Sequence, residues 1–116
     1  DPALLREVRD AGVALEICLT SNVQTRVATS YERHPLRAFY DAGLRLALCT
    51  DNRLMSGVTL TREYQHARDE LGFAWDELVR VARMGFESAF APEEVGAALV
   101  EELEREVEGL ERAGVR

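Results

Sequence analysis

The residues most suited to chemistry in this chain follow a short apolar run. Leu44 to Cys49 is apolar, and the run stops abruptly at Thr50, Asp51 and Asn52. A carboxylate and an amide at the carboxyl end of a buried strand occupy the position where α/β proteins place their chemistry. Asp51 is therefore a candidate metal ligand. From these residues alone, however, a simple polar turn after a strand is the favoured interpretation.

Five other polar residues are candidates for a site, but each has a simpler structural interpretation. Glu16 lies inside an apolar strand and is interpreted as an ion-pair partner, with a substrate contact as the alternative. Ser21 and Asn22 are interpreted as capping groups in a loop. His34 stands at the entry of a helix, and His66 is interpreted as a solvated helix residue. Neither histidine lies at the end of a strand.

Both cysteines, Cys18 and Cys49, lie in apolar runs. We interpret them as reduced packing residues, because their spacing matches no zinc motif. Trp75 is interpreted as a core residue or an anchor between helices. Reduced cysteines and the absence of a visible signal peptide predict a cytoplasmic location.

The composition is that of an ordinary globular protein, with 116 residues, 47% hydrophobic and 30% charged. The net charge of −7 argues against a nucleic-acid surface, which is expected to be basic. No apolar run approaches the ~18–20 residues that a membrane span needs. The sequence therefore predicts at most one domain, with neither nucleic acid nor membrane as a partner.

Periodicity and capping signals predict the order α-β-α-β-α-α-α. The first half is predicted to contain a helix ended by Gly12, a strand Val13–Leu19, a polar loop Thr20–Arg33, a helix from Pro35 to Gly43 and a strand Leu44–Cys49. The second half is predicted to contain a loop Asn52–Val58, a helix from Thr59 or Thr61 to Leu71, a helix from Trp75 to Met84 or Phe90, and a last helix after Pro92. This last helix has a core-facing stripe of Val95, Leu99, Leu103, Val107 and Leu110. Strands that alternate with helices imply parallel pairing and right-handed crossovers.

Two parallel strands are not expected to form a stable sheet alone, because parallel sheets are covered on both faces. The missing neighbours are either upstream residues or another copy of the chain. Each strand has a bulky face and a smaller face, and the smaller faces carry Glu16, Cys18, Cys49 and Asp51. In a parallel barrel, the bulky faces would contact the outer helices. The smaller faces would then point to the axis, with Asp51 where barrel active sites lie.

Several short motifs occur in a specific order along the chain. They are Leu15–Thr25 (LEICLTSNVQT), His34-Pro35-Leu36, Cys49-Thr50-Asp51-Asn52, Leu60–Tyr64 (LTREY), and Phe86–Phe90 followed by Pro92-Glu93-Glu94. Each motif is weak alone, but in combination they make about residues 1–105 resemble the C-terminal third of an adenosine deaminase.

The resemblance implies that residues 1–58 are the last two βα units of a (β/α)8 TIM barrel, followed by C-terminal helices in residues 59–116. It implies one catalytic Zn²⁺ and hydrolytic deamination of adenosine to inosine and ammonia, with deoxyadenosine deaminated in the same way. Asp51 matches the family's aspartate ligand, which also accepts a hydrogen bond from the attacking water. Asn52 matches a substrate-binding position, usually Asp, that contacts the purine N7, and an Asn NH2 group can donate there at any pH.

The family's other zinc ligands and catalytic residues, mostly histidines, have no match in this chain. One ligand cannot hold a catalytic zinc, so we expect the isolated chain to be inactive. Two alternatives stay open. One is another purine or aminofutalosine deaminase of the same superfamily, and the other is a non-catalytic barrel remnant that acts as an oligomerising module by self-association.

Overall fold

The computed structural model describes residues 1–115, which form seven helices and two strands. In chain order these are α1 (Pro2–Asp10), β1 (Ala14–Ile17), α2 (Leu19–Gln24), α3 (Leu36–Asp41), β2 (Arg45–Leu48), α4 (Arg53–Ser56), α5 (Leu60–Leu71), α6 (Trp75–Glu87) and α7 (Glu93–Arg112). The strands pair in parallel, with Ala14 opposite Arg45 and Ile17 opposite Leu48. The predicted α/β fold with parallel strands is confirmed. Among the described helices, none is long and apolar enough to cross a membrane.

Two segments that were predicted to be loops contain helices. The predicted loop Thr20–Arg33 begins with α2, and the predicted loop Asn52–Val58 contains α4. The polar side chains of α2 bind other elements of the fold, so their polarity is not a turn signal. In α4, the side chain of Asn52 caps the helix, and Gly57 ends it with a φ of 63°. The first strand is also shorter than predicted, because α2 already begins at Leu19.

Capping side chains set the start of two helices as predicted. Asp1 Oδ1 accepts a hydrogen bond of 2.8 Å from Ala3 N, and Pro2 occupies the first position of α1. Thr59 Oγ1 accepts one of 3.3 Å from Arg62 N at the start of α5. Gly72, with a φ of 68°, ends α5, and α6 extends past Met84 to Glu87.

The bulky faces of both strands lie in the core, as predicted. Ile17, Leu46 and Leu48 are buried against side chains from several helices. The buried helical partners are Leu36 of α3, Ala67 of α5 and Val81 of α6, with Phe73 from the α5–α6 connection. The βα units and the C-terminal helices therefore share one apolar core. The division of the chain at residue 58 stays a prediction.

The predicted core stripe of α7 is partly wrong. Val95 and Leu110 are 44% and 41% exposed, whereas Val100, which was not predicted, is buried. α7 packs mainly on α6, and Val100 is its buried residue. Trp75 acts as the predicted anchor between helices, since its Nε1 donates a 3.2 Å hydrogen bond to Glu111 Oε1.

Arg37 joins α3 to α6. Its two terminal nitrogens donate hydrogen bonds of 2.7 Å to the two carboxylate oxygens of Glu77, and its guanidinium lies 4.8 Å from the ring centroid of Phe73. Glu77 Oε2 also accepts from Ala74 N at 2.9 Å. The bonds from Arg37, and then the one from Ala74, lower the pKa of Glu77 to about 2.

His34 ties α2 to the start of α3. The imidazole is buried, its Nε2 lies 2.9 Å from Asn22 Oδ1, and its Nδ1 accepts a 3.0 Å hydrogen bond from Leu36 N. Because Nδ1 accepts, Nε2 carries the proton and donates to Asn22. The predicted helix-entry role of His34 is confirmed, and Asn22 is a partner across the fold, not a loop cap. Burial lowers the pKa of His34.

His66 was predicted to be solvated, and that prediction is wrong. Its ring is stacked on Tyr31 with 3.9 Å between centroids and an interplanar angle of 9°. The stacking was not predictable because Tyr31 lies in the irregular segment between α2 and α3.

Replacing Glu77 by Gln is expected to lower the free energy of unfolding by about 1–2 kcal/mol, because Arg37 loses a bidentate anionic partner. Acid should have the same effect. The pKa of Glu77 lies below its ordinary value, so its contribution is present above about pH 5 and is lost as the pH falls toward about 2. Thermal unfolding near neutral pH and near pH 3 measures both effects.

Asp69→Asn is the matched control for Glu77→Gln. Asp69 pairs with Arg68 at 2.6 Å on the surface, where the two side chains are 52% and 60% exposed. We therefore expect the control to leave the melting temperature unchanged. A Glu77→Gln protein that melts like the wild type would contradict the structural role of this ion pair.

Acidification from about pH 7.5 to about 5.5 is expected to destabilise the protein through His34. A protonated imidazole would place an N–H at Nδ1 against the Leu36 N–H, so the folded state resists protonation. The His34 pKa is lowered from its ordinary value of 6.5, and its stabilising contribution is therefore present above that value and lost below it. The His34→Gln variant should show a smaller change in melting temperature between these two pH values.

His66→Gln is the control for that experiment, since it removes the other histidine of the chain. It should keep the pH dependence of the wild type. If His66→Gln removed the pH dependence and His34→Gln did not, the assignment to His34 would be wrong.

Candidate functional site

Asp51 lies beside Ser21 at the carboxyl ends of the two strands. The ladder continues past β2, where Cys49 N donates a 2.9 Å hydrogen bond to Ile17 O. Because parallel strands end at the same edge of a sheet, the residues that follow β1 and β2 meet there. Ser21 Oγ donates a 2.8 Å hydrogen bond to Asp51 Oδ2. The structure thus joins two residues that are 30 positions apart in sequence.

Ser21 has a different role from the predicted loop cap. Its residue is buried in the first turn of α2, whereas Asp51 is exposed. The hydroxyl holds one carboxylate oxygen in a fixed direction. The other oxygen, Asp51 Oδ1, makes no hydrogen bond within residues 1–115. The arrangement leaves one oxygen of an oriented carboxylate without a partner among residues 1–115, on an exposed residue at the carboxyl end of β2.

Asn52 combines a structural role with a free polar group. Its Oδ1 accepts hydrogen bonds of 3.1 Å from both Leu54 N and Met55 N, which caps α4. Its Nδ2 makes no hydrogen bond to the described part of the chain and lies on an exposed residue. The side chain therefore keeps a hydrogen-bond donor next to Asp51 while its acceptor is used by the backbone.

Glu63 is a buried carboxylate behind the site that the sequence interpretation did not assign. It is 0% exposed, and both of its oxygens lie 3.2 Å from Thr20 N. Thr20 Oγ1 also donates to Glu63 Oε1, and Tyr31 OH lies 3.3 Å from Thr20 Oγ1. One signal in the sequence was available, because Glu63 shares a face of α5 with Ala67, four residues later and fully buried.

The two cysteines are unpaired and half-buried. Burial, with smaller effects of Cys49 and Asp51, raises the pKa of Cys18 to about 11. Burial also raises the pKa of Cys49. Both thiols are therefore held protonated, which makes them poor nucleophiles and poor metal ligands. Their interpretation as reduced packing residues is consistent with the structure.

The small faces of the strands line a cleft of about 550 Å³. Glu16 lies there as an exposed residue, and no ion pair to it is found among residues 1–115, so its interpretation as an ion-pair partner stays a prediction. The other wall of the cleft comes from α5 and α6 and includes Tyr64. Burial raises the pKa of the Tyr64 hydroxyl to about 12. A Cβ added at Gly85 would contact Ala47, so α6 lies next to β2 at this point of the cleft. Its lining includes Ala14, Glu16, Ala47, Cys49, Leu60, Tyr64, Gly85, Phe86 and Phe90.

Asp51 suits a zinc ion as a single ligand. A carboxylate oxygen is an accepted zinc ligand, and a hydrogen bond to its second oxygen is the usual way in which such a ligand is oriented. Within residues 1–115, however, no three His, Cys, Asp or Glu side chains are grouped closely enough to hold a metal ion. The described residues therefore fit one ligand position, and a complete site needs others.

Comparison with known proteins gives a consistent family. The family model for adenosine deaminase matches residues 1–106. The chain is 37% identical over 99 residues to an adenosine deaminase of Shewanella loihica, covering 85% of this chain and 30% of that protein. It is 39% identical over 93 residues to an adenine deaminase of Sinorhizobium medicae, covering 80% of this chain and 29% of that protein.

Two solved structures have the same fold over most of the chain. Arabidopsis ADAL complexed with IMP has a TM-score of 0.80 and 30% identity, and the match covers 86% of this chain and 29% of that one. An amidohydrolase from Burkholderia ambifaria with bound Zn has a TM-score of 0.85 at 21% identity, covering 97% and 32%. The α/β fold is thus that of TIM-barrel deaminases.

The chain spans about 30% of the length of the curated relatives that it matches. Within that span, the family model covers nearly all of the residues, including the strand ends that carry Ser21 and Asp51. On this evidence, the chain belongs to the adenosine deaminase family.

Proposed function

We propose that this chain is the C-terminal part of a zinc-dependent hydrolase that deaminates adenosine to inosine, and deoxyadenosine to deoxyinosine, with release of ammonia. The observation that carries the proposal is the hydrogen bond from Ser21 Oγ to Asp51 Oδ2, at the shared carboxyl edge of the strands. It orients a carboxylate at the position where barrel enzymes of this type place their active sites. Membership of the adenosine deaminase family supports the chemistry.

Asp51 is proposed as a zinc ligand and as a hydrogen-bond acceptor for the attacking water. When bound, a zinc ion acts as a Lewis acid that makes water a nucleophile near neutral pH. Asp51 Oδ1 is the oxygen available to bind the zinc ion and to accept from the water, because Oδ2 already accepts from Ser21. The bound Zn of the Burkholderia neighbour supports the choice of metal.

Residues 1–116 alone are proposed to be inactive. A catalytic zinc site uses three protein ligands or more, and this chain contributes one. The remaining ligands would come from the part of the barrel that precedes residue 1 in the proposed parent enzyme. The unpaired state of Cys18 and Cys49 supports a reducing, cytoplasmic location.

Asn52 is proposed to bind the purine ring. Its Oδ1 is engaged by the backbone of α4, which leaves the Nδ2 group to donate a hydrogen bond to the purine N7. An amide donates regardless of pH, whereas the Asp that is usual in this family must be protonated to do so. The IMP bound to Arabidopsis ADAL supports a purine ligand.

Adenine is the second candidate substrate. A relative at 39% identity is an adenine deaminase, a value as high as that of the adenosine deaminase relatives. Adenine, adenosine and the other 6-aminopurines share the ring atom that Asn52 would contact. Residues outside this chain must therefore choose among them, and aminofutalosine deamination stays an alternative of the same kind.

A non-catalytic module is the candidate of a different class. The apolar cleft on the small faces and the fully exposed side chain of Phe90 would suit self-association. Size-exclusion chromatography of residues 1–116, with metal analysis and a deamination assay, separates the classes. A stable oligomer would favour the module if the parent enzyme also lacked zinc and activity.

Asp51→Asn in the proposed parent enzyme is expected to reduce kcat/KM by at least about 10³-fold, because a neutral amide is a poor zinc ligand. Zinc content, measured by atomic absorption, should fall in parallel. Asp10→Asn is the control, since Asp10 pairs with Arg9 on the surface of α1. Full turnover in Asp51→Asn would sink the proposal.

Asn52→Ser is expected to raise KM for adenosine about 10-fold with a smaller change in kcat, because Ser cannot reach the purine N7. Ser is as good a helix cap as Asn, so the melting temperature should stay close to that of the wild type. Steady-state kinetics and thermal unfolding measure the two effects. An unchanged KM would mean that Asn52 serves only as the cap of α4.

A further inference from the structure

Glu63 is a buried acid without a cationic partner in the described part of the chain. Burying a carboxylate is costly unless its oxygens receive hydrogen bonds. The donors that Glu63 receives are the backbone N–H and the hydroxyl of one residue, Thr20. A helix on one side of the core thus uses its only buried acid to hold a single residue 43 positions away.

Thr20 is in the first turn of α2, where backbone N–H groups have no partner within the helix. Cys18, the residue that caps α2, makes no side-chain cap hydrogen bond. Glu63 therefore supplies from α5 the acceptor that a local cap would normally supply. This contact is one of those that hold the first turn of α2, beside the burial of Leu19 in the core.

Thr20 and Ser21 are consecutive, so their side chains leave α2 in different directions. Thr20 contacts Glu63, and Ser21 contacts Asp51. A rigid turn with one residue fastened to a buried acid fixes the direction of the next. Glu63, Thr20, Ser21 and Asp51 form a continuous chain of hydrogen bonds and covalent bonds from the core to the edge of the sheet.

We infer that Glu63 is a positioning residue that acts through Thr20 and Ser21 to orient Asp51. The inference rests on the proposed function, in which Asp51 is the zinc ligand. Mutation of a residue that hydrogen-bonds to a metal ligand typically lowers metal affinity or activity by about 10-fold to 100-fold. Glu63 is one step further back, so we expect an effect at the lower end.

Glu63→Gln tests the inference with little change in shape. Glutamine has one acceptor oxygen and an NH2 donor, and that donor would face the Thr20 N–H. In the proposed parent enzyme we expect kcat to fall about 10-fold, KM to change less than about twofold, and the zinc dissociation constant in a chelator competition to rise about 10-fold. A stable protein with unchanged kcat and zinc affinity would overturn the inference.

Glu77→Gln separates positioning from stability. Glu77 is also a carboxylate that joins two helices, but its contacts are with Arg37 and Ala74, away from Asp51. The Glu77→Gln variant should have a lower melting temperature than the wild type, with unchanged kcat and zinc affinity. Equal effects of Glu63→Gln and Glu77→Gln on all three measurements would reduce Glu63 to a structural role.

Thr20 provides a second pair of variants in case Glu63→Gln does not fold. Thr20→Val keeps the shape of the side chain but removes the hydroxyl, and Thr20→Ser restores a hydroxyl. We expect Thr20→Val to show the loss in kcat and zinc affinity and Thr20→Ser to recover most of it. Equal kinetics for these two variants would also contradict the inference.

Crystal structures of the metal-free proteins test the positioning without any assay. The distance from Ser21 Oγ to Asp51 Oδ2, now 2.8 Å, should exceed about 3.5 Å in Glu63→Gln and stay unchanged in Glu77→Gln. If the wild type neither binds zinc nor deaminates purines, the proposed function fails while this distance still tests the positioning. An unchanged distance in Glu63→Gln would overturn the positioning itself.

Discussion

The parallel pairing of β1 with β2 is the constraint on which the site depends. The register places Ile17 opposite Leu48, and the ladder extends to Cys49. Since both strands run in the same direction, the chain leaves both at one edge, and Ser21 and Asp51 meet there. An antiparallel pair would have put these residues at opposite ends of the sheet. The bulky faces of the strands hold this register by burying their side chains under three helices.

Polar contacts in this fold are divided between stability and site geometry. Arg37 and Glu77 join α3 to α6 at a partly exposed position, where an ion pair mainly contributes to folding. Glu63 is buried and holds the turn that carries Ser21. A buried carboxylate is an expensive way to stabilise a helix end, because its desolvation offsets much of the gain. Its presence behind the site is easier to explain by the direction that it imposes than by the stability that it adds.

Asn52 illustrates how one side chain can serve the fold and still keep a polar group free for the proposed ligand. An amide has an acceptor at one end and a donor at the other. The acceptor caps α4, so the donor is presented from a fixed helix start next to Asp51. A flexible loop over residues 52–58 would not offer a donor with a defined direction. The short helix therefore makes Asn52 a better candidate for substrate binding than the sequence alone suggested.

The sequence by itself determined both strands and five of the seven described helices, in the right order, because local signals decide them. The short helices α2 and α4 fell in segments that were predicted to be loops. Asp1, Thr59 and Gly72 mark helix ends through contacts within one or two turns, and the two-residue alternation of the strands assigns Ile17 and Leu46 to the core. The motif order around Asp51 was also enough to indicate the adenosine deaminase family. Helix ends and strand faces depend on residues that are close in sequence, and the order of the motifs can be read from the sequence directly.

Only the tertiary structure decided which polar residues act together. Ser21 was interpreted as a loop cap, Glu63 received no role, and His66 was placed in solvent. Ser21 contacts Asp51, 30 positions away, and Glu63 contacts Thr20, 43 positions away. His66 is stacked on Tyr31, which lies in a separate irregular segment. The residues next to a polar side chain in sequence do not indicate which distant residue it will contact. The pairing arises only when the parallel strands and the helices that cover them bring the segments together.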